Sequence, residues 1–397
     1  MAEHSSANKV EIPIRRNFEE EGTQQRYRLM ELSTTIPDLI ALGRGDPDLP
    51  TPAYVVEGAK AAIDRGVDRV TDPAGLLELR QAIADKLKLD NGVNADPEDE
   101  IVVTTGGQEA MYLAVQALLG PGDEILVPDP RYTSYDVAIK MAGAKMVMVP
   151  TSLEDGFQLH ADDLERLITP RTRAVLLISP SNPTAGVISE QNLREVCDVV
   201  VRHNLTLISD EIYEKLLYED ARHTSPGSLP GMAERTVTLN GFSKTFCMTG
   251  WRIGYLAGPP AVMAKVRRLK ALLSTCAPTV SQWAGVTALT GPTDFMQEYL
   301  EIYTRRRAIV LAGLRRLGFA YGPPMGGFYV FVNAASIGLS AMDLSLRLLQ
   351  EGHVLIFPGT GFGENWSDYL RISWVQPEAD VQEAIARVER VLGTSGS

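Results

Sequence analysis

Cysteine is scarce in this chain: three among 397 residues. Cys197, Cys247 and Cys276 give no disulfide framework and no metal-ligand spacing. Cys247 stands three residues after Lys244, where a small buried filler is the plain account of it. No apolar run approaches the ~20 residues a membrane span needs. The start, Met1-Ala-Glu-His-Ser-Ser, lacks the charged-then-apolar order of an export signal. Positive charge is in the minority, and the net charge of −12 argues against nucleic acid or an anionic membrane as main partner. No internal repeat, low-complexity tract or appended DNA-binding module is visible. A reduced, cytoplasmic protein is the expectation.

What is present is an ordinary globular balance, 45% hydrophobic and 22% charged, with length enough for two large cores. Strand-like runs alternate with helical spacing. Glu100–Thr105 reads as a strand, Gln108–Leu119 as a helix, Glu124–Pro128 as a strand, Tyr135–Ala142 as a helix and Lys145–Val149 as a strand. The pattern continues with a strand at 174–178, a helix at 189–203 and strands at 205–209 and 236–240. Such alternation predicts an α/β fold with a mainly parallel sheet covered on both faces. Past about residue 290 the texture changes to a long charged helix, Thr293–Leu317, and a small α+β portion with Gly326–Phe331 and Leu370–Ser373. We expect a large domain over 51–290 and a small one from 1–50 with 291–397. Residues 1–25 are polar and read as loosely ordered, or as packed on a neighbouring subunit.

Ser243-Lys-Thr-Phe-Cys-Met-Thr-Gly-Trp-Arg-Ile-Gly254 is the most informative stretch. Lys244 follows the strand-like Thr236–Asn240. A lysine in an apolar pocket loses its proton near neutral pH and attacks aldehydes. Ser243 and Arg252 supply a hydroxyl and a planar cation, the groups that hold a phosphate. Aldehyde chemistry beside a phosphate clamp suggests pyridoxal phosphate. A surface lysine near a structural arginine would give the same letters. Asp210 ends the apolar run 205–209, a usual place for ligand groups in α/β sheets. A carboxylate there would keep a pyridine nitrogen protonated, as an electron sink requires. A turn or helix cap is the alternative. Tyr213 could hydrogen-bond the ring hydroxyl. Asn182, in Ser179-Pro-Ser-Asn-Pro-Thr-Ala-Gly186, would offer an amide to the same group.

Taken together these segments resemble the class I/II aminotransferases, fold-type I pyridoxal-phosphate enzymes of the aspartate aminotransferase superfamily. The resemblance runs from about Ile40 to Val391. It is carried by Gly43-Arg-Gly-Asp-Pro-Asp48, Asp72-Pro-Ala-Gly75, Thr104-Thr-Gly-Gly-Gln-Glu-Ala110, Ser181-Asn-Pro-Thr184, Asp210-Glu-Ile-Tyr213, Ser243-Lys244, Gly250-Trp-Arg-Ile-Gly254 and Tyr369-Leu-Arg-Ile-Ser373. Each motif is weak alone; their joint order and spacing is strong. The resemblance implies a large domain with a mixed, mostly parallel sheet, a small α+β domain, and a C₂ homodimer. The partner's 70–75 loop and residues near 274–283 would complete the pocket. It makes Lys244 the residue that holds the cofactor aldehyde and moves the substrate's α-proton, with Asp210 and Tyr213 as its catalytic companions.

Gly107 and Gln108, at a strand-to-helix junction, would bring backbone N–H groups and a positive helix end to the phosphate beside Ser243 and Arg252. A plain tight turn is the alternative. Tyr132 falls where relatives place a ring over the cofactor; core packing would also explain an aromatic there. The resemblance gives Arg371 the substrate α-carboxylate, since guanidinium matches its two oxygens, and brings the Gly45 amide near it. Three departures matter. Val70 stands where aspartate-type members often carry a tyrosine reaching the partner's phosphate. Ala185-Gly186 reverses the common order. Gln108 replaces a lysine of some acidic-substrate members, whereas Arg44 replaces a small or apolar residue and could bind a distal carboxylate or form a rim ion pair. Transamination of an L-amino acid to a 2-oxo acid by a ping-pong route is the leading expectation, with aspartate or glutamate slightly ahead of aromatic or broad neutral donors. A pyridoxal-phosphate lyase cutting a β-carbon–sulfur bond is the alternative on the same fold.

Overall fold

The computed structural model describes residues 21–393. Seven strands form a large sheet in the order Ile101–Thr104, Gly254–Ala257, Thr236–Gly241, Thr206–Asp210, Thr172–Ile178, Glu124–Asp129 and Lys145–Pro150. Gly254–Ala257 runs against both its neighbours. The other adjacent pairs are parallel. This is the expected α/β architecture, with strand limits within a residue or two of the sequence reading.

The central strands are apolar on both faces because helices cover both. Ala174 and Leu176 turn to one side, against Met111 and Val115 of the helix Gly106–Leu118 and Met263 and Val266 of Pro260–Leu273. Val175 and Leu177 turn to the other, against Leu193, Val196 and Val200 of Glu190–Arg202. Side chains alternate across the pleat, so one run serves two cores. Ser189 caps this last helix by accepting the Asn192 amide.

A second, antiparallel sheet runs Phe357–Pro358, Tyr369–Ser373, Tyr329–Asn333 and Ala320–Tyr321. The helices Asp294–Arg316, Ala341–Gly352 and Glu378–Gly393 pack with it around Trp374, Phe328 and Val330. Ile40–Ala41 pairs in parallel with Val354–Leu355, which ties the early chain to the last third. Arg306 grips Asp48 with two bonds of 2.7 and 2.9 Å and fixes the loop that follows.

The expectation for residues 1–25 needs correction in part. Residues 1–20 lie outside the described ones. Residues 21–25 begin the helix Glu21–Ser33, held because Leu29 is fully buried and Gln25 accepts from Thr360 Oγ1 at 2.6 Å. Among the described residues no helix is long and apolar enough to cross a membrane.

Candidate active site

Parallel strands end together, and their C-terminal loops open on a common crevice. Here Ile178, Asp210 and the loop after Gly241 all reach one cavity of about 450 Å³. Asp210 is one of the charged groups on its wall. It is the last residue of its strand and is buried. Its carboxylate accepts from the Tyr135 hydroxyl at 2.7 Å and the Ile212 amide at 3.1 Å. Burial pushes its carboxyl up to about 6, with those two donors pulling the other way. Among the described residues no basic side chain forms an ion pair with it, so a cationic ligand atom would find an unclaimed counter-charge here.

Lys244 lines the same cavity, three residues past the strand Thr236–Gly241. Its Nζ donates to the Gly45 carbonyl at 2.7 Å and lies 5.5 Å from the centre of the Phe328 ring. Burial lowers its pKa to about 8; Asp46 opposes that fall and Arg371 adds to it. A part of the lysine population is therefore neutral at physiological pH, as a nucleophile or base requires.

The outer end is built for an anion. Gly107 and Gln108 lie in the first turn of Gly106–Leu118, where backbone N–H groups lack helical partners and the dipole is positive. Gly106 is left-handed (φ 79°), and a Cβ there would come within 2.6 Å of the Arg252 guanidinium. Arg252 thus closes over a turn that only glycine leaves open. Its own φ is 52°, and it donates to the Thr249 carbonyl at 3.0 Å. Ser243 is buried on the same wall. Beneath, the buried Lys270 pairs with Glu109 at 2.7 Å, and Glu109 accepts the Thr105 amide, which fixes the helix start.

Arg371 faces the cavity from the strand Tyr369–Ser373. It donates to Asn182 Oδ1 at 3.0 Å and to the Gly43 carbonyl, between the rings of Tyr329 at 4.4 Å and Phe362 at 4.5 Å. Its Nε is buried without a hydrogen-bond partner. Asn182 spends its oxygen on Arg371, which leaves its NH₂ for a ligand. Tyr213 is buried and its hydroxyl meets that of Tyr329 at 3.3 Å. Tyr132 borders the cavity, edge-on to Tyr135 at 5.1 Å, and its hydroxyl accepts from Gln108 at 3.4 Å.

The residues singled out in the sequence thus surround one space, with one exception. Arg44 is exposed and lies outside the cavity wall, although Gly43 and Gly45 on either side turn their carbonyls inward. Gly45 meets Lys244 through its carbonyl. The reversed Ala185-Gly186 has a local reason: Ala185 takes the left-handed turn position (φ 58°), while a Cβ on Gly186 would press the Gly156 carbonyl at 2.8 Å. Sequence reasoning missed Tyr135, Tyr329, Asp46 and Arg26. Tyr135 was findable, three residues after Tyr132; Arg26 carried no signal beyond a polar helix face.

A ring cation beside Asp210, an aldehyde beside Lys244 and a phosphate beside Arg252 match pyridoxal phosphate group by group, so the residues present fit that cofactor. The comparisons agree. The family model described as aminotransferase class I and II matches residues 37–388. The aromatic-amino-acid aminotransferase 2 of Thermococcus litoralis is 40% identical over 92% of this chain and 94% of its own. An aspartate aminotransferase of Pyrococcus abyssi shows the same identity and coverage. The crystal structure of the aromatic aminotransferase from Pyrococcus horikoshii is 42% identical, with a TM-score of 0.88 over 92% of this chain and 99% of that one. The chain belongs to the class I and II aminotransferases and is a pyridoxal-phosphate-dependent transaminase.

Proposed function

We propose that this transaminase takes its amino group from a dicarboxylic L-amino acid of the aspartate or glutamate class and passes it to a 2-oxo acid. One observation carries the reading. A neutralisable lysine, a buried carboxylate with no ion-pair partner among the described residues and a buried arginine face one cavity of about 450 Å³. Four basic side chains line that cavity against two acidic ones, and relatives at about 40% identity include aspartate aminotransferases.

When bound, pyridoxal phosphate supplies an aldehyde and an electron sink that make an amino acid's α-proton removable. The protein's part is placement and proton handling. Arg371, whose guanidinium lies over the Tyr329 ring, takes the substrate α-carboxylate and so aims the α-carbon. Lys244 Nζ, freed from its resting contact, takes the α-proton and returns it on the other side of the exchange. Asp210 keeps a positive charge at the foot of the site. The first turn of Gly106–Leu118, Ser243 and Arg252 hold the phosphate in place throughout.

The same reading includes a homodimer, a cytoplasmic setting and the division into 51–290 and 1–50 with 291–397. Val70 is 75% and Leu272 84% exposed, two large apolar side chains that a second copy would cover. Thr279 donates to the Arg69 carbonyl at 2.7 Å and Gln282 to Thr71 at 3.0 Å, so the 70–75 loop and the start of helix Thr279–Thr290 move as one piece. The three cysteines are free, as a reducing compartment allows.

A panel of amino donors against 2-oxoglutarate, oxaloacetate and pyruvate tests the substrate. Aspartate or glutamate should give the highest kcat/KM. Fastest turnover of tyrosine or phenylalanine would favour the second reading, to which the rings of Tyr132 and Tyr329 and the aromatic relative lend support. Release of ammonia and pyruvate without an acceptor would mean lyase chemistry.

A further inference from the structure

We propose that Arg26 receives the second carboxylate of a dicarboxylic substrate and is the residue that selects aspartate- or glutamate-class donors over neutral ones. The inference rests on the dicarboxylic-donor reading proposed above and names its specificity element.

Four basic side chains line the cavity: Arg26, Lys244, Arg252 and Arg371. Three have work already. Lys244 carries the proton chemistry, Arg252 closes over Gly106 at the phosphate end, and Arg371 faces the α-carboxylate. Arg26 is left over. It is half-buried, its guanidinium lies 5.9 Å from the Tyr27 ring, and it has no carboxylate partner among the described residues. A guanidinium partly withdrawn from water gains little until an anion joins it. Asp46, on the same cavity wall, bears on Lys244 and supports its charged form.

The two arginines share one support. Leu29, three residues after Arg26 on the same helix, is fully buried in a cluster with Phe357 and Phe362. Phe362 in turn stacks on the Arg371 guanidinium at 4.5 Å. Gln25, next to Arg26, is tied to Thr360 at 2.6 Å. The spacing of the two cations is therefore set by one aromatic layer and one hydrogen bond. Burial is the main cause that lowers the Arg371 pKa; the neighbouring tyrosines Tyr329, Tyr213 and Tyr132 oppose it, and the charge of Arg26 adds a little to the fall. Two like charges facing one space suit a ligand that brings two opposite charges. Arg44, the other candidate in this part of the chain, is exposed and off the wall.

The test uses the cofactor-loaded protein with Arg26→Ala and Arg26→Lys. Two readouts are taken: KM and kcat for aspartate, glutamate, alanine and phenylalanine, and calorimetric affinity for succinate against propionate. With Arg26→Ala, KM for the dicarboxylic donors and Kd for succinate should rise roughly 10- to 100-fold, the scale of a charged hydrogen bond. Alanine, phenylalanine and propionate should change less than about twofold, and Arg26→Lys should recover part of the loss. Equal losses on every donor would mean a helix-supporting role and would overturn the inference. So would unchanged affinity for succinate. If the unaltered protein transaminates neutral donors but no dicarboxylic one, the substrate reading falls and Arg26's role with it; if it does use dicarboxylic donors and Arg26→Ala matches it, only the Arg26 assignment falls.

Discussion

The two walls of the cavity are built in opposite ways. The cofactor side hangs from the ends of adjacent parallel strands: Asp210 is a strand residue and Lys244 lies three positions past one. Asp210 is buried and takes its two donors from Ile212, two positions on, and Tyr135, 75 positions back, while the partly buried Lys244 reaches across to the Gly45 carbonyl of the other side. The substrate side is assembled from far-apart pieces, the helix Glu21–Ser33, the loop around Gly45 and the strand Tyr369–Ser373. It joins Arg371 to Gly43 across 328 positions and Asn182 to Arg371 across 189. A sheet end holds its chemistry wherever the strands pair, whereas the other wall exists only once distant segments have packed. The first is suited to steps common to every substrate, the second to choosing among substrates.

The comparison predicts how substitutions should sort. Lys244→Ala should have the largest effect, at least ~10²-fold in rate and equal for every donor, because proton transfer is common to all. A loss confined to some donors, seen in the same donor panel, would break the division between walls. Arg371→Lys comes next. Lysine offers no planar fork, so kcat/KM should fall by ~1.5–3 kcal/mol, about 10- to 100-fold, again for every α-amino acid. It is the one part of the substrate wall that should not discriminate.

Titration sharpens the cofactor side. Burial holds Lys244 near 8, so it is charged below that pH and neutral above it. The rate at which apoprotein captures pyridoxal phosphate should rise roughly tenfold between pH 7 and 9. Asp210 sits near 6, so below that pH its carboxyl takes a proton and the hold on a ring cation weakens; cofactor affinity should fall as pH drops through 6. A capture rate flat across pH 7 to 9, followed by absorbance in stopped flow, would remove Lys244 from the assignment. The smallest effect belongs to Arg44→Ala. Exposed and off the wall, Arg44 should leave kcat/KM for aspartate and alanine within about twofold, as expected for a surface substitution.

The same contrast explains what could be read in advance. Asp210 and Lys244 are legible because each follows an apolar run of strand type, and a strand end is a physical reason for a polar group to face a crevice. Gly254–Ala257 escapes a sequence reading as a strand: four residues give no usable period, and its antiparallel course depends on pairing with Thr236–Gly241. Tyr329 lies in a stretch with small-domain texture; only packing places its ring on Arg371. Arg26, within Gln24-Gln-Arg-Tyr-Arg28, looks like any solvated helix face. Arg44 stands out because it sits between two glycines of a recognisable motif, yet nothing in spacing tells which way a loop side chain turns.

The most direct test of the cofactor wall is covalent trapping. Treating the yellow, cofactor-loaded protein with borohydride and mapping the labelled peptide should place the cofactor on Lys244 alone, within the segment that begins at Ser243. Label on any other lysine would contradict the assignment of the cofactor wall and, with it, the roles of Asp210 and Arg252.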